Sequence, residues 1–200
     1  MQEDKREEHL STNIGFMGVR KGCGTTHIAV MCAKVLSGKA KTAFLDMGGN
    51  GINCLSRLLL NKEEGDFRYS RIDFYPSADI ALLTRLEETD YEYIVMDFGL
   101  YKGKLPLEYI RCFKRFLIAP MGPLGFEEYE AAVKEIKEHF TGSRGCILFN
   151  PATPDFAKKI RSGTGVRACS VGFEPELFKP SDEFKTMTQR MINNKESRGR

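Results

Sequence analysis

Residues 13–36 read NIGFMGVRKGCGTTHIAVMCAKVL, and this stretch organises the rest of the 200-residue chain. It predicts a buried strand at 14–17, a glycine-rich turn at 18–25 and a helix that begins near Thr26. Glycines allow backbone N–H groups to converge on an anion, and a helix N-terminus carries roughly half a positive charge. The stretch therefore predicts a loop that binds phosphate.

This loop departs from the usual phosphate-loop pattern at one position. The pattern G-x-x-x-x-G-K-[ST] requires a lysine directly after its last glycine, whereas Thr25 follows Gly24 here. Charge-assisted contacts contribute about 1.5–3 kcal/mol each, and a threonine hydroxyl carries no charge. We therefore expect weakened phosphate binding, with Arg20 and Lys21 as candidate replacements on the same loop.

Two other interpretations of the loop stay open. Gly22 and Gly24 also fit the start of a dinucleotide fingerprint, with Asp46 about 20 residues later to bind a ribose. The third glycine of that fingerprint would stand at His27, which argues against it. An ordinary turn without a ligand is the other alternative. Within the loop, Cys23 is either a small filler or a reactive thiol.

The composition is that of a globular protein, with 42% hydrophobic and 28% charged residues. The net charge of 30 − 27 = +3 is too small to indicate nucleic-acid or membrane binding by itself. The sequence has neither an apolar run of transmembrane length nor a secretory h-region in residues 1–12. The six cysteines form no C-x-x-C pair, which disfavours zinc and redox motifs. We predict a cytoplasmic protein.

Strands and helices alternate along the chain. Further strands are predicted at 42–46, 71–75 (as an edge strand), 91–97, 115–119, 146–149 and 168–173. Further helices are predicted at 52–60, 77–88, 105–111, 125–140 and 181–193, with a polar loop at 61–68. This alternation predicts an α/β fold with a doubly wound, mostly parallel sheet and helices on both faces. We expect one domain at 13–194, a polar lead-in at 1–12 and a frayed tail at 195–200.

Two acids end predicted strands, Asp46 after an apolar run and Asp97 after another. Ligands in such folds sit at the carboxyl ends of the central strands. Residues 18–26, 46–51 and 97–99 should therefore meet in one crevice. Convergence of three separate loops is a stronger signal of a site than any one of them.

Taken together, these residues resemble the MinD/ParA group of P-loop NTPases, the deviant Walker A family of the SIMIBI class, over about residues 13–190. Family members carry the loop K-G-G-x-G-K-[ST]-T, and residues 20–27 read RKGCGTTH. Gly22, Gly24 and Thr26 match. Arg20 stands where the signature lysine stands, and Thr25 replaces the main phosphate lysine.

The resemblance implies a site for ATP or ADP with Mg²⁺. The nucleotide-binding residues it implies are Arg20, Lys21, Gly22, Cys23, Gly24, Thr25, Thr26, His27 and Asn150. Thr26 would bind Mg²⁺, and Asp97, which ends a Walker B-like strand, would act through water. No catalytic residue is assigned, with Asp46 and Asp97 as candidates. The family's D-x-D becomes Asp46-Met47-Gly48, so the acid that acts in hydrolysis is replaced by glycine.

These departures predict a degenerate member of the group, a pseudo-ATPase with weak or no hydrolysis. The resemblance implies a regulatory or spatial-organising partner of a larger assembly, in secretion or pilus, division or partition machinery. It also suggests a homodimer with Arg20 across the interface. The alternatives are an active ATPase that uses Arg20 or Lys21, and a dinucleotide-binding enzyme. The sequence contains no basic aromatic patch that would indicate nucleic-acid binding. The predicted helix 181–193 carries an apolar stripe, and packing of this stripe on the core is favoured over membrane attachment.

Overall fold

The computed structural model describes residues 11–49, 51–63, 65–120, 133–134, 137 and 144–193. The strands in this part of the chain are Thr12–Gly18 (β1), Thr42–Asp46 (β2), Phe67–Tyr69 (β3), Ile72–Tyr75 (β4), Tyr93–Leu100 (β5), Lys114–Ala119 (β6), Gly145–Phe149 (β7) and Ala168–Ser170 (β8). The helices are Thr25–Leu36 (α1), Asn53–Leu60 (α2), Ile80–Glu87 (α3), Leu107–Arg111 (α4), Pro154–Thr164 (α5) and Asp182–Asn193 (α6).

The strands form one sheet in the order β3-β4-β2-β5-β1-β6-β7-β8. Every neighbouring pair is parallel except β3 and β4. The strand that leads into the glycine-rich loop is central, between β5 and β6. Asp46 on β2 lies in register with Asp97 on β5. The predicted mostly parallel sheet is thus confirmed. Asp46 ends β2, whereas β5 continues past Asp97 to Leu100, beyond the strand end predicted at residue 97.

Helices cover both faces of the sheet, as the doubly wound prediction requires. One hydrophobic core contains buried residues of α1 and α6, and the other contains buried residues of α3 and α5 together with Tyr109 of α4. Alternate residues of each central strand enter opposite cores, as Phe16 and Met17 of β1 do. The strands are therefore buried on both faces, which explains their nearly continuous apolar sequence.

The apolar stripe of α6 packs on the first of these cores. Phe184, Met191 and Ile192 are buried there, and Met187 packs against them. Core packing of this helix is therefore confirmed. No helix in the described residues is both long and apolar enough to cross a bilayer.

The prediction of a polar loop at 61–68 is partly wrong, because Phe67–Tyr69 forms strand β3. This strand pairs antiparallel with β4, so β4 is not the edge strand that the sequence predicted. Ser70 and Arg71 connect the two strands with φ of 52° and 70°. Positive φ at both positions is typical of a two-residue hairpin turn, for which Asn-Gly is the usual sequence signal. Ser-Arg lacks that signal.

A second correction concerns the region after β7. Helix α5 was not predicted, and the last strand ends at Ser170 and does not extend to residue 173. The strand β1 begins at Thr12, inside the expected lead-in. Residues 1–10 and 195–200 lie outside the described residues, and so does nearly all of the predicted helix 125–140.

Candidate functional site

The loop between β1 and α1 borders a cleft of about 360 Å³. Its lining residues are Arg20, Lys21, Gly22, Gly24, Thr25, Thr26, His27, Gly99 and Leu100. Gly22 and Gly24 have φ of 81° and 89°, a left-handed conformation that a side chain would strain. Gly24 is also the N-cap of α1, whose first turn contains no acid. The cleft therefore faces a helix N-terminus whose N–H groups suit an anion.

Thr26 and Asp97 form a hydrogen-bonded pair at this cleft. The Thr26 hydroxyl donates to Asp97 Oδ2 at 2.5 Å, and the Gly99 N–H donates to Asp97 Oδ1 at 2.9 Å. Asp97 is fully buried, whereas Thr26 lines the cleft. Because the carboxylate holds the hydroxyl proton, the lone pairs of the Thr26 oxygen remain for a cation. The fold thus brings together Thr26 and Asp97, the two residues that the resemblance places at a Mg²⁺ site.

This pair also fits the way in which Mg²⁺ binds in nucleotide sites. The described residues contain no group of three or more His, Cys, Asp or Glu side chains that could hold a metal. Mg²⁺ usually keeps several waters and takes its other ligands from a few side chains and the phosphates of the nucleotide. One hydroxyl with a buried carboxylate behind it is enough for such a site, provided that phosphate is present.

Thr25, which stands in place of the main phosphate lysine, directs its hydroxyl into the loop. Its Oγ1 lies 3.3 Å from the sulfur of Cys23. A Cβ added at Gly18 would lie only 2.2 Å from Thr25 Oγ1 and 2.7 Å from Cys23 Sγ. The hydroxyl and the thiol therefore pack against the end of β1. Cys23 is 4% exposed, which agrees with the interpretation of this residue as a loop filler.

Arg20 and Lys21 are the two basic residues of the loop between β1 and α1. Both side chains belong to exposed residues that line the cleft. Neither forms an ion pair within the described part of the chain. Their charges are therefore available at the mouth of the cleft.

Asp46 has a different environment from Asp97. It is 2% exposed, and its Oδ2 accepts a hydrogen bond of 3.3 Å from the Ile52 N–H at the start of α2. It does not line the cleft at the loop. The N–H groups of Met47 and Gly48 donate to the Asp97 carbonyl at 2.9 and 3.0 Å. The turn after β2 is thus attached to β5 at Asp97, and Gly48 contributes no side chain there.

Asn150 supports the loop from the end of β7. Its Nδ2 donates to the Cys23 carbonyl at 3.2 Å. A Cβ at Gly24 would lie 2.3 Å from the same nitrogen, so the amide packs directly on this glycine. The structure brings Asn150 to the predicted site as a support of the loop, and its contact with a base stays a prediction.

His27 connects the first turn of α1 to the segment after β8. Its Nε2 lies 2.8 Å from the Glu174 carbonyl. The sequence analysis assigns neither Glu174 nor Leu100 to the site. Both lie next to the site because of long-range packing, for which the local sequence carries no signal.

No protein-family model matches the sequence, and no curated protein matches it significantly. Solved structures match its fold. A plasmid partition protein of Borrelia burgdorferi B31 bound to AMPPNP is 13% identical, with a TM-score of 0.63 and coverage of 92% of this chain and 97% of that chain. A ParA family ATPase from Chlorobium tepidum TLS is 17% identical, with a TM-score of 0.55 and coverage of 91% and 92%.

The Aquifex aeolicus MinC:MinD cell division complex gives a third match, at 12% identity, a TM-score of 0.63 and coverage of 89% and 86%. Identities this low show the fold alone. The chain therefore has the MinD/ParA-like P-loop NTPase fold. The strand order also differs from that of the Rossmann fold. In this sheet β5 lies between β1 and β2, whereas the first two strands are adjacent in the Rossmann order. This order disfavours the dinucleotide-binding alternative.

Proposed function

We propose that this protein binds ATP or ADP with Mg²⁺ weakly, hydrolyses it poorly or not at all, and uses the nucleotide to regulate its contacts in a larger assembly. One observation carries the proposal. The hydroxyl–carboxylate pair of Thr26 and Asp97 is intact at 2.5 Å, whereas Thr25 takes the lysine position and turns its hydroxyl towards Cys23. Binding elements are present while the main phosphate charge is missing.

In this proposal the backbone of residues 22–27 cradles the phosphates. Left-handed Gly22 and Gly24 shape the loop, and the N-terminus of α1 supplies positive potential. Thr26 would hold Mg²⁺ with Asp97 behind it, and Mg²⁺ when bound neutralises charge on the phosphate oxygens. Asn150 holds the loop in shape through the Cys23 carbonyl.

Poor hydrolysis is expected because two residues, Thr25 and Gly48, lack the side chains that hydrolysis needs. Without a lysine, the charge that develops on the phosphates in the transition state lacks a partner inside the loop. Gly48 has no carboxylate to orient an attacking water, although its backbone is held beside Asp97. A protein that binds nucleotide but turns it over slowly can use occupancy itself as the signal.

A second candidate function is an active ATPase in which Arg20 or Lys21 replaces the lysine. The exposed position of both cations at the cleft favours this alternative. The two candidates differ in turnover, since the active enzyme requires a cation at residue 20 or 21 for catalysis.

The likeness in fold to a partition protein and to MinD in complex with MinC supports protein partners in division or partition machinery, with secretion or pilus assembly as a further setting. We include a homodimer, with Arg20 reaching across to the second nucleotide, and a cytoplasmic location in the proposal. Sedimentation with and without Mg²⁺ and ATP tests the dimer. A monomer under all conditions contradicts it.

Calorimetric titration with Mg²⁺-ATP, Mg²⁺-ADP, GTP and NAD tests the proposal as a whole. We expect the adenine nucleotides to bind with a Kd of roughly 10 µM to 1 mM. The rate of ATP turnover should be no higher in the wild type than in Asp97→Ala. No binding of any adenine nucleotide contradicts the proposal. Turnover that requires Asp97 and falls in Arg20→Ala or Lys21→Ala establishes the active ATPase instead.

A further inference from the structure

A second cavity shares no residue with the nucleotide cleft. It measures about 640 Å³ and lies between α5, β8 and α6. Its lining includes six consecutive residues, 167–172, which comprise β8 and the residues next to it on both sides. Consecutive residues of a strand point to both faces of the sheet, so a cavity that touches all of them lies along the edge of the strand.

Among the described residues, nothing pairs with the backbone of β8 along this edge. The Arg167 carbonyl accepts from the Ile147 N–H at 2.9 Å, and the Val171 N–H donates to the Phe149 carbonyl at 2.8 Å. Residues 167, 169 and 171 therefore face β7, and by alternation Ala168, Ser170 and Gly172 face outward. No described residue bonds to the backbone of these three residues.

The walls of the cavity combine apolar surface with basic side chains. The apolar part includes Ala157, Phe184, Met187 and Met191. The basic residues are Lys158, Arg161, Arg167 and Arg190, and none forms a salt bridge with a carboxylate in the described part of the chain. Arg167 also hydrogen-bonds to the Cys169 sulfur, which lines the same cavity.

Two carboxylates at the other end of the cavity are already bonded. Glu174 accepts hydrogen bonds from the N–H and hydroxyl of Ser181, and Asp182 pairs with Lys185 at 2.8 Å. The remaining lining acid is Glu183. The unpaired charge in the cavity is therefore predominantly positive, and it suits an acidic partner.

We propose that this groove binds an extended peptide segment of a protein partner, which adds a ninth strand to the edge of β8. Residues 167–172 span roughly 20 Å of extended chain, so the bound segment has about six residues. Its backbone pairs with Ala168, Ser170 and Gly172. Its acidic end lies at Arg161 and Arg167, and its apolar side chains pack against α5 and α6.

The probe is a fluorescein-labelled peptide, Asp-Glu-Val-Thr-Val-Ile, with Lys-Lys-Val-Thr-Val-Ile as its charge control. Fluorescence anisotropy should give a Kd below about 1 mM for the acidic peptide and weaker binding of the basic one by roughly tenfold. Two N-methylated versions carry the methyl groups at alternate residues. Only the version that blocks the N–H groups facing β8 should bind weakly, because a strand uses every second amide on one side.

Two protein variants complete the test. Ser170→Pro removes an outward N–H at an edge position, where proline is tolerated, and Ser170→Ala keeps that N–H. The proline variant should weaken binding by roughly tenfold, with no change in Ser170→Ala. Circular dichroism checks that both variants fold, and the N-methylated peptides give an independent answer if Ser170→Pro does not.

Three results overturn the proposal. They are absence of binding at about 1 mM acidic peptide, equal weakening by both N-methylation patterns, and unchanged binding by folded Ser170→Pro. A dimer that Ser170→Pro dissociates would mean that a second copy of the chain occupies the edge. Since nucleotide binding is measured at a separate cleft, either proposal can fail without the other.

Discussion

The hydroxyl of Thr26 donates to the carboxylate of Asp97 across 71 residues of sequence, at 2.5 Å. This pair connects the helix after β1 to the neighbouring strand β5. It fixes the hydroxyl in the cleft with its proton directed inward. The arrangement is ready for a cation, which leads to the first prediction.

Replacing Thr26 by valine keeps the shape of the side chain and removes the hydroxyl. We expect Thr26→Val to lose the Mg²⁺-dependent part of ATP affinity, roughly tenfold or more, because a hydrogen bond to a charged group contributes about 1.5–3 kcal/mol. Affinity in EDTA should hardly change. Calorimetry with Mg²⁺ and with EDTA measures both quantities.

The control for this substitution is Thr84→Val on α3, where an exposed hydroxyl donates to the Ile80 carbonyl. This variant should bind like the wild type in both buffers. A Thr26→Val protein that keeps its Mg²⁺ dependence would show that the hydroxyl does not serve the cation.

Restoring the lysine should strengthen binding. Thr25→Lys adds a charge at the phosphate position, and we expect ATP affinity to rise by at least about tenfold. The cost is the contact between Thr25 Oγ1 and Cys23 Sγ, so the unfolding midpoint should be measured as well. Thr25→Met is the matched control, since it has similar length without charge. Equal tightening by both variants would assign the effect to packing.

Hydrolysis should require a second change. Gly48 is exposed, has no positive φ and is held beside Asp97 by its own N–H, so an aspartate fits its backbone. In the Thr25→Lys background, Gly48→Asp should raise ATP turnover by roughly 100-fold, since positioned acid–base groups contribute 10²–10⁴. Gly48→Asn controls for the added volume. Turnover that stays at the Thr25→Lys level contradicts the proposed reason for poor hydrolysis.

The sequence was sufficient to predict the central part of the fold and to name most of the residues that line the candidate cleft. Apolar runs that end in a glycine-rich loop or in an acid are local signals, and they are sufficient to place strands β1, β2 and β5. Helix α5 carries the opposite local signals. Pro154 opens it and Gly165 ends it, both in favourable helix positions, but in sequence they resemble a loop.

Long-range contacts were beyond prediction for a different reason. Asn150 reaches Cys23 across 127 residues, and His27 reaches Glu174 across 147 residues. Neither contact is specified by spacing or periodicity, because each depends on how two distant elements pack. The loop's supporting residues therefore emerge only from the fold.

The cysteines should differ strongly in reactivity. Burial raises the pKa of Cys32 and of Cys112 to about 12, so at about pH 7.5 only about three molecules in 10⁵ carry a thiolate at either position. Hydrogen bonding from the Cys146 thiol, and the nearby Arg167, lower the pKa of Cys169. Its thiolate is therefore present at neutral pH and is lost only as the pH falls further.

Iodoacetamide labelling followed by mass spectrometry tests this order. Cys169 and exposed Cys54 should react in the native protein, and Cys32 and Cys112 only after unfolding. The rate at Cys169 should level off at lower pH than that of a free thiol of pKa about 8.5. Cys54→Ser leaves the Cys169 signal isolated, and a Cys169 rate that follows the free thiol would contradict the lowered pKa.

Two buried tyrosines should respond in opposite directions to loss of their hydroxyls. The Tyr109 hydroxyl is fully buried without a hydrogen-bond partner in the described part of the chain. The Tyr91 hydroxyl donates to Asp73 Oδ2 at 2.9 Å and lies 2.9 Å from the Tyr75 hydroxyl. Tyr109→Phe should therefore stabilise the fold by about 1 kcal/mol, and Tyr91→Phe should destabilise it by about 1–2 kcal/mol.

Urea unfolding measures both changes in stability, and equal m-values show that only stability has changed. A destabilised Tyr109→Phe would mean that the hydroxyl is bonded in solution, since removing an unsatisfied group relieves a desolvation penalty and removing a satisfied one does not.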